Sequence, residues 1–464
     1  MLPASSSGDQ PRRVRLLLLL GGALALRLAW ALPQPVTDEA IDQLPDQREY
    51  LVLGRNLLHG QGLKFYDPRF GEEVWAFRTP GYPLLVAACG GSVRTVRMVQ
   101  AFIDTSTVLA AYLLARRWLT RGSSLAAAAV VALNPFLIYF TALVLTETLF
   151  TAMLLWGMVL IVRSGPGTEG AARSNALPAT PHSPPPALRP SGTWRSTALW
   201  LLGGLVLAAS LLVRQSAIGL PVILGVAAAV VNRGVGVPYH RRWPLPVGAT
   251  MLGLTLLVLL PWAWRNQRVV GEWVWTSTNG GITLYDGLNP DATGASDQSF
   301  VGSMPELRTI GEPGRSQYLS DQAKLFARRN KRRVLELAAI KAARTWSPIP
   351  LSQDYGGWKY RTVGLLYTLP LYLAVLVGLT RGGPRGGGLP RAAQVYLLLP
   401  AIYFTAVHML TVGSLRYRIP AEPPMAVIAA SVAALPAAAG WKRSGRGFDV
   451  VPDLAPETGS PESE

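Results

Sequence analysis

The sequence predicts an all-α integral membrane protein of about ten transmembrane helices, with two longer extracytoplasmic segments that carry juxtamembrane helices. Three observations predict it. Half of the 464 residues are hydrophobic and only 15% are charged, where a soluble chain carries about 25% charge. Apolar runs near the ~20 residues needed to cross hydrocarbon recur along the chain. The basic residues alternate between the ends of those runs rather than scattering.

The runs lie near 14–32, 94–115, 124–143, 145–163, 196–213, 215–232, 247–264, 361–380, 393–411 and 417–438. The 215–232 run is the weakest, because Pro221 interrupts it. With the N-terminus inside, nineteen basic residues collect on cytoplasmic flanks: Arg12, Arg13 and Arg15; Arg116, Arg117 and Arg121; Arg163, Arg173, Arg189 and Arg195; Arg233, Arg241 and Arg242; Arg381, Arg385 and Arg391; and Lys442, Arg443 and Arg446. The short turns opposite hold Arg214, Arg416 and Arg418. That asymmetry is the positive-inside pattern, and it supports both the count and the orientation. A cleaved signal peptide ending near Ala29-Trp30-Ala31 would reverse the parity of every later loop, so an uncleaved first helix is expected.

The net charge of +17 is therefore mostly topology. No RNP, helix-turn-helix or finger pattern accompanies it, and nucleic acid is not an expected partner. One cysteine, Cys89, excludes an internal disulfide framework, and the four histidines lack zinc-ligand spacing.

Around the polytopic domain, 14–438, a short cytoplasmic N-terminus (1–13) and a cytoplasmic disordered tail (439–464) are expected. Residues 164–195 hold seven prolines among Gly, Ser and Ala and read as a flexible cytoplasmic linker. No internal repeat suggests a transporter built from duplicated halves. The first external loop, 33–92, carries eight acids beside five basic residues. The second external segment, 265–360, contains a predicted amphipathic helix from Asp321 to Trp346. Leu325, Phe326, Val334, Leu337 and Ile340 form its apolar face, and Lys324, Arg328, Arg329, Lys331, Arg332 and Arg333 its polar face. Such a helix lies among lipid headgroups, either as a plain anchor or beside a substrate.

Candidate chemistry begins just after the first apolar run. Asp46 fits a helix N-cap with Glu49 at the third helical position, a capping-box spacing, and alone it would be read as a helix start. Asp38, Glu39 and Asp42 are alternatives, and these tandem acids could supply part of a divalent-cation site. Companion motifs are Arg78-Thr79-Pro80-Gly81-Tyr82-Pro83, Leu145-Thr146-Glu147, Pro261-Trp262-Ala263-Trp264-Arg265-Asn266 and Arg416-Tyr417-Arg418-Ile419-Pro420. Each puts a charged or polar group at the outer end of an apolar run, so five segments converge on one membrane face. Capping competes for Glu147, and anchoring in headgroups for Arg416 and Arg418. Asp104 lies inside the second run, where an acid is a functional candidate; Arg97 or nearby threonines are its expected partners.

In order and spacing these motifs resemble the polytopic C-type glycosyltransferases, in particular the bacterial branch related to protein O-mannosyltransferases and aminoarabinose–lipid A transferases. The resemblance covers roughly 14–438. It implies transfer of a sugar from a polyprenyl-phosphate carrier to a lipid, polysaccharide or protein acceptor outside the plasma (inner) membrane of a bacterium, with no required cofactor. It implies Asp46 and Tyr50 as the acid–tyrosine pair of the first loop, Glu147 as the acid opening the fourth helix, and Arg78 as a cation for the carrier phosphate. Arg416, Tyr417 and Pro420 match the Arg-Tyr-x-x-Pro element, with Arg418 an added cation. Arg265 and Asn266 match the pair opening the second external segment, and Asn279-Gly280-Gly281 and Gly287-Leu288-Asn289-Pro290 match a glycine-rich stretch.

The chemistry asks for these residue types independently. A hydroxyl attacking an anomeric carbon needs a carboxylate to take its proton. A departing phosphate gains charge, which suits arginine. A lipid-linked sugar flippase, and a polysaccharide polymerase or ligase with a pyrophosphate-linked donor, are the competing classes.

Overall fold

The computed structural model describes residues 10–165, 193–233, 244–351, 357–382 and 388–433. The linker expected at 164–195, apart from its two ends, and the tail from 439 lie outside the described residues, as do Arg173, Arg189, Arg241, Arg242, Arg385, Lys442, Arg443 and Arg446.

The chain opens with α1 (Gln10–Ala31), α2 (Asp38–Asp42) and α3 (Pro45–Leu58), then strands β1 (Phe65–Asp67) and β2 (Glu72–Val74). There follow α4 (Gly81–Ala88), α5 (Val93–Ala115), α6 (Arg121–Ala132), α7 (Pro135–Phe140), α8 (Glu147–Arg163) and α9 (Thr193–Ser210). Next come α10 (Leu220–Arg233), α11 (Pro244–Val270), α12 (Asn279–Gly287), α13 (Phe300–Ser303), α14 (Glu312–Arg329) and α15 (Lys331–Thr345). The last helices are α16 (Trp358–Thr380), α17 (Arg391–Leu410) and α18 (Glu422–Ala430). Helix α8 packs along α5 and α9, and α18 lies among α6, α16 and α17.

Among the described residues, six helical stretches are long and apolar enough to cross a membrane: Val14–Ala31, Val93–Ala115, Gln215–Asn232, Pro246–Val270, Trp358–Thr380 and Arg391–Leu410. Many of their large apolar side chains face outward, including Leu17, Leu18, Leu366 and Leu373. A soluble protein has no solvent for such a surface, whereas lipid accepts it.

Four expectations are corrected. The run at 124–143 is two helices, because Asn134-Pro135 stops α6 and starts α7; the Asn134 Oδ1 accepts from the backbone N–H groups of Phe136 (2.9 Å) and Leu137 (3.1 Å). The run at 417–438 opens with two 3₁₀ turns and holds only the nine-residue α18, since Pro420, Pro423 and Pro424 remove the donors a continuous helix requires. The helix expected at 321–346 is broken at Asn330, whose φ −123° and ψ 49° are not helical. Leu325 and Ile340 of its apolar face are exposed, whereas Leu337 is buried. The all-α expectation omits the hairpin, in which Phe65 pairs with Val74 and Asp67 with Glu72, around a turn containing Gly71 at φ +73°.

Buried ions lock the helices together. Arg27 of α1 is fully buried, bonds Asp104 of α5, and donates to the carbonyls of Ala132 (3.0 Å) and Val131 (3.3 Å) of α6. Arg97, an expected partner of Asp104, instead donates to the carbonyls of Gln34 (2.7 Å) and Ala142 (2.6 Å). Fully buried Arg418 pairs with Glu422 (2.8 Å) and reaches Thr368 (3.1 Å), while the other Glu422 oxygen takes the Asn134 amide (2.6 Å). Lys341 of α15, also fully buried, donates to the carbonyls of Gly287 (2.7 Å), Met409 and Leu410 (both 3.3 Å), closing the C-terminal end of α17. Gly281 and Gly287 have their reason in close packing: a Cβ on either would collide with the carbonyl of Ser316 or Thr411.

Breaking the Arg418–Glu422 pair from one side leaves a buried charge unpaired. Glu422→Leu is expected to cost about 3–5 kcal/mol, and Arg418→Met/Glu422→Leu together much less. Denaturant unfolding in detergent checks this; a double variant no more stable than the single one would contradict it.

Candidate active site

Helix α3 begins at Pro45 with Leu44 as its cap, so Asp46 sits in the first turn rather than at the N-cap. No capping box forms, and both Asp46 oxygens remain free for cations. Asp46, Glu49 and Tyr50 share one face of the helix at spacings of three and four. The hairpin then carries the chain back so that Arg78, just ahead of α4, meets that face. Its Nε donates to Glu49 and its Nη2 to Asp46, each at 2.6 Å. Its guanidinium lies 5.4 Å from the centre of the Tyr50 ring and 5.3 Å from that of Phe77.

Arg416, on the 3₁₀ turn after α17, extends the array. It donates from Nη1 to the other Asp46 oxygen (3.2 Å) and from Nε to Glu147 (2.7 Å), the first residue of α8. Arg214, just beyond α9, donates to the same Glu147 oxygen at 3.3 Å. Carboxylates and guanidiniums thus alternate through Glu49, Arg78, Asp46, Arg416, Glu147 and Arg214. Six residues from five separate stretches of chain meet where α8 begins and α9 and α17 end.

Access is uneven along this array. Glu147 is fully buried and Arg214 11% exposed, whereas Asp46 and Arg416 are 32% and 30% exposed. The array is therefore open at Asp46 and Arg416. At the closed end, one Glu147 oxygen (Oε2) and one Arg214 nitrogen (Nη1) are buried without a partner among the described residues. Tyr417 covers that end. The His408 ring stacks on it at 3.5 Å and 5°, and the Arg214 guanidinium lies 5.3 Å from its ring centre.

Electrostatics divide the two acids of α3. Burial opposes ionisation of Asp46, but Arg78 and Arg416 outweigh it and hold the carboxyl well below the usual carboxylate range. For Glu49 burial prevails over Arg78, and the neighbouring Asp46 charge adds to it, so its carboxyl is raised. Burial also pushes the Tyr50 phenol up to about 12.

Other sequence candidates lie elsewhere. Arg418, although two residues from Arg416, points into the α6–α16–α18 interior described above. Asp104 is tied to Arg27 within the bundle. Arg265 donates to the carbonyls of Trp75 (2.7 Å) and Leu63 (2.9 Å), and Asn266 to that of Val274 (2.8 Å), so both bind loop backbone. Asp38 and Asp42 pair with Arg48 (3.1 and 2.7 Å) away from the array. Among the described residues, no three His, Cys, Asp or Glu side chains are grouped as ligands for a metal ion. Arg214 is the member that sequence reasoning missed. Its signal was present, because it is one of the three basic residues on turns where arginine is otherwise scarce.

No protein-family model matches the sequence, and no curated protein matches it. Solved structures do. An archaeal oligosaccharyltransferase, AglB from Archaeoglobus fulgidus, in complex with an inhibitory peptide and a dolichol-phosphate, is similar over 92% of this chain and 50% of its own, with TM-score 0.53 and 12% identity. The Archaeoglobus fulgidus enzyme tethered to an acceptor peptide containing the NVT sequon is similar over 90% of this chain and 49% of its own (TM-score 0.53, 14% identity). ArnT from Cupriavidus metallidurans bound to undecaprenyl phosphate is more remote, at TM-score 0.39 and 11% identity over 90% of this chain and 77% of its own. The chain spans about half the length of the oligosaccharyltransferase it matches. The likeness is one of fold, shared with that half of the archaeal oligosaccharyltransferase.

The opposite shifts of Asp46 and Glu49 set an order of protonation. Folding favours the protonated form of Glu49, so this residue takes a proton first as pH falls. The stability contributed by Asp46 is present above the ordinary aspartate value, near 3.9, and is lost only as pH drops towards its lowered folded value. Infrared titration should show a carboxylic-acid band that Glu49→Gln removes, appearing at higher pH than any band that Asp46→Asn removes. The reverse order would refute the assignment.

Proposed function

We propose that the protein is a membrane glycosyltransferase that moves a sugar from a polyprenyl-monophosphate carrier to an acceptor hydroxyl on the extracytoplasmic side. The observation that carries this reading is the alternation of three carboxylates with three guanidiniums, open to substrate at Asp46 and Arg416. The reaction needs one ionised base and several fixed cations within a few ångströms, and the array contains both.

Asp46, ionised at any physiological pH, takes the proton of the acceptor hydroxyl as its oxygen bonds to the anomeric carbon. The bond from that carbon to the phosphate oxygen breaks, its electron pair leaves with the phosphate, and the single displacement inverts the sugar. Arg416 and Arg78 stabilise the charge gathering on the phosphate, with Arg214 behind them. Glu147 holds Arg416 and Arg214 in place, and Tyr50, being neutral, offers a hydroxyl beside Arg78. The similar oligosaccharyltransferase is held with a dolichol-phosphate, a lipid monophosphate of the kind this reading requires. The basic-residue pattern supports an orientation with both termini cytoplasmic, in which the array would face the outside of the plasma membrane of a bacterium. Acceptors of this chemistry are lipid, polysaccharide or protein hydroxyls.

Purified protein in nanodiscs should release polyprenyl phosphate from one member of a panel of polyprenyl-monophosphate sugars when an envelope extract supplies acceptor. Asp46→Asn should lower kcat by about 10²–10⁴. Release that survives this substitution would move the base to another acid. No release from folded protein with any donor would favour a flippase, or a transferase with a pyrophosphate-linked donor.

A further inference from the structure

Arg78 stands on a short strap, Trp75-Ala76-Phe77, that belongs to no helix and to neither strand of the hairpin. A strap of this kind would normally let an arginine wander, yet Arg78 makes two 2.6 Å bonds. The strap is held from outside. The Glu312 carboxylate, at the start of α14, accepts from the Trp75 N–H (2.6 Å) and the Ala76 N–H (2.9 Å). The Ala76 carbonyl accepts from the Thr278 N–H (2.9 Å), and the Trp75 carbonyl from Arg265 (2.7 Å). All four backbone polar groups of Trp75 and Ala76 are thus bound by residues at least 190 positions later in the chain. Glu312 also takes the Thr278 hydroxyl (2.6 Å), which draws two of these anchors onto one carboxylate. Glu312, Thr278 and Ala76 are all buried, and Phe77 is buried against Phe65.

We propose that Glu312 is a positioning residue for Arg78, fixing from the second long segment the cation that pairs with Asp46. Its carboxylate does for the strap what a neighbouring strand would do, with charge-assisted hydrogen bonds that are roughly twice as strong as neutral ones. A glutamine here turns one acceptor into a donor facing a backbone N–H, so at least one of the three bonds is lost. The side chain keeps its size, which separates loss of the clamp from loss of packing. The link between this position and catalysis rests on the function proposed above; the position itself does not.

Two measurements test the proposal. Labelling of arginines by phenylglyoxal, read by mass spectrometry on the full chain in nanodiscs, should rise several-fold at Arg78 in Glu312→Gln and stay constant at Arg418, which is buried and bonded elsewhere. Unchanged labelling at Arg78 overturns the proposal whether or not the protein turns over any donor. In the turnover assay, Glu312→Gln should reduce kcat/KM at least tenfold in the wild-type background and less than twofold in an Arg78→Gln background, since a residue acting through Arg78 has nothing left to act on. Equal losses in both backgrounds would mean a structural role only and would overturn the proposal. Absence of turnover by the wild type would count against the proposed function, and the labelling result alone would then decide the positioning role.

Discussion

Pairing of opposite charges in a place with little water is the constraint on which the site depends. The members at the closed end of the array, Glu147 and Arg214, could not be held there alone, because an unpaired buried charge costs several kcal/mol. Alternation resolves this without cancelling the reactivity of the members. Asp46 is shared between two arginines and stays ionised. Glu147 is shared between Arg416 and Arg214 and, among the described residues, keeps one oxygen unbonded. Each guanidinium in turn has another partner or an aromatic face. An array of this kind is rigid because moving any member unpairs its neighbours, and rigidity is what electrostatic stabilisation of a transition state requires.

The same rule governs the interior away from the site. Arg27 with Asp104, and Arg418 with Glu422 and Asn134, tie helices that are apolar elsewhere. Helix carbonyls left open at α17 are closed by the Lys341 ammonium. Burial pulls that lysine down to about 8, against the favourable charge of Asp286, so it remains largely protonated at neutral pH and keeps its three carbonyls. Fold and site are therefore built from one kind of interaction, used in closed form inside and in open form at Asp46 and Arg416.

Much of this was legible in the sequence wherever position along an apolar run carried the information. Asp46, Arg78, Glu147 and Arg416 stand in segments that border such runs, and the structure brings all four together. Arg214 stands in an equivalent place but has no companion motif, so nothing singled it out. Arg418 shows the limit of proximity in sequence: on a 3₁₀ turn, two residues of separation suffice to send one arginine to the site and the other into the interior. The break at Asn134-Pro135 was written in the local chemistry, but hydropathy averaged across it. Glu312 could not be found by pattern, since the backbone groups it holds are more than two hundred residues away.

That distance has a consequence for how the protein is made. Asp46 and Arg416 are 370 residues apart, and Glu312 is 237 from Trp75. At synthesis rates of about 5–20 residues per second, Asp46 leaves the ribosome roughly 20–70 seconds before the arginine that completes its environment. Throughout that interval the early loop, with its excess of acids, has Arg78 to offset Asp46 and Glu49, and Arg69, 3.8 Å from Glu49, but not Arg416. The site cannot be assembled stepwise with its helices, and it closes only when Arg416 arrives. Late completion of this order makes the nascent protein dependent on its early helices staying together without the ion pairs that later hold their ends.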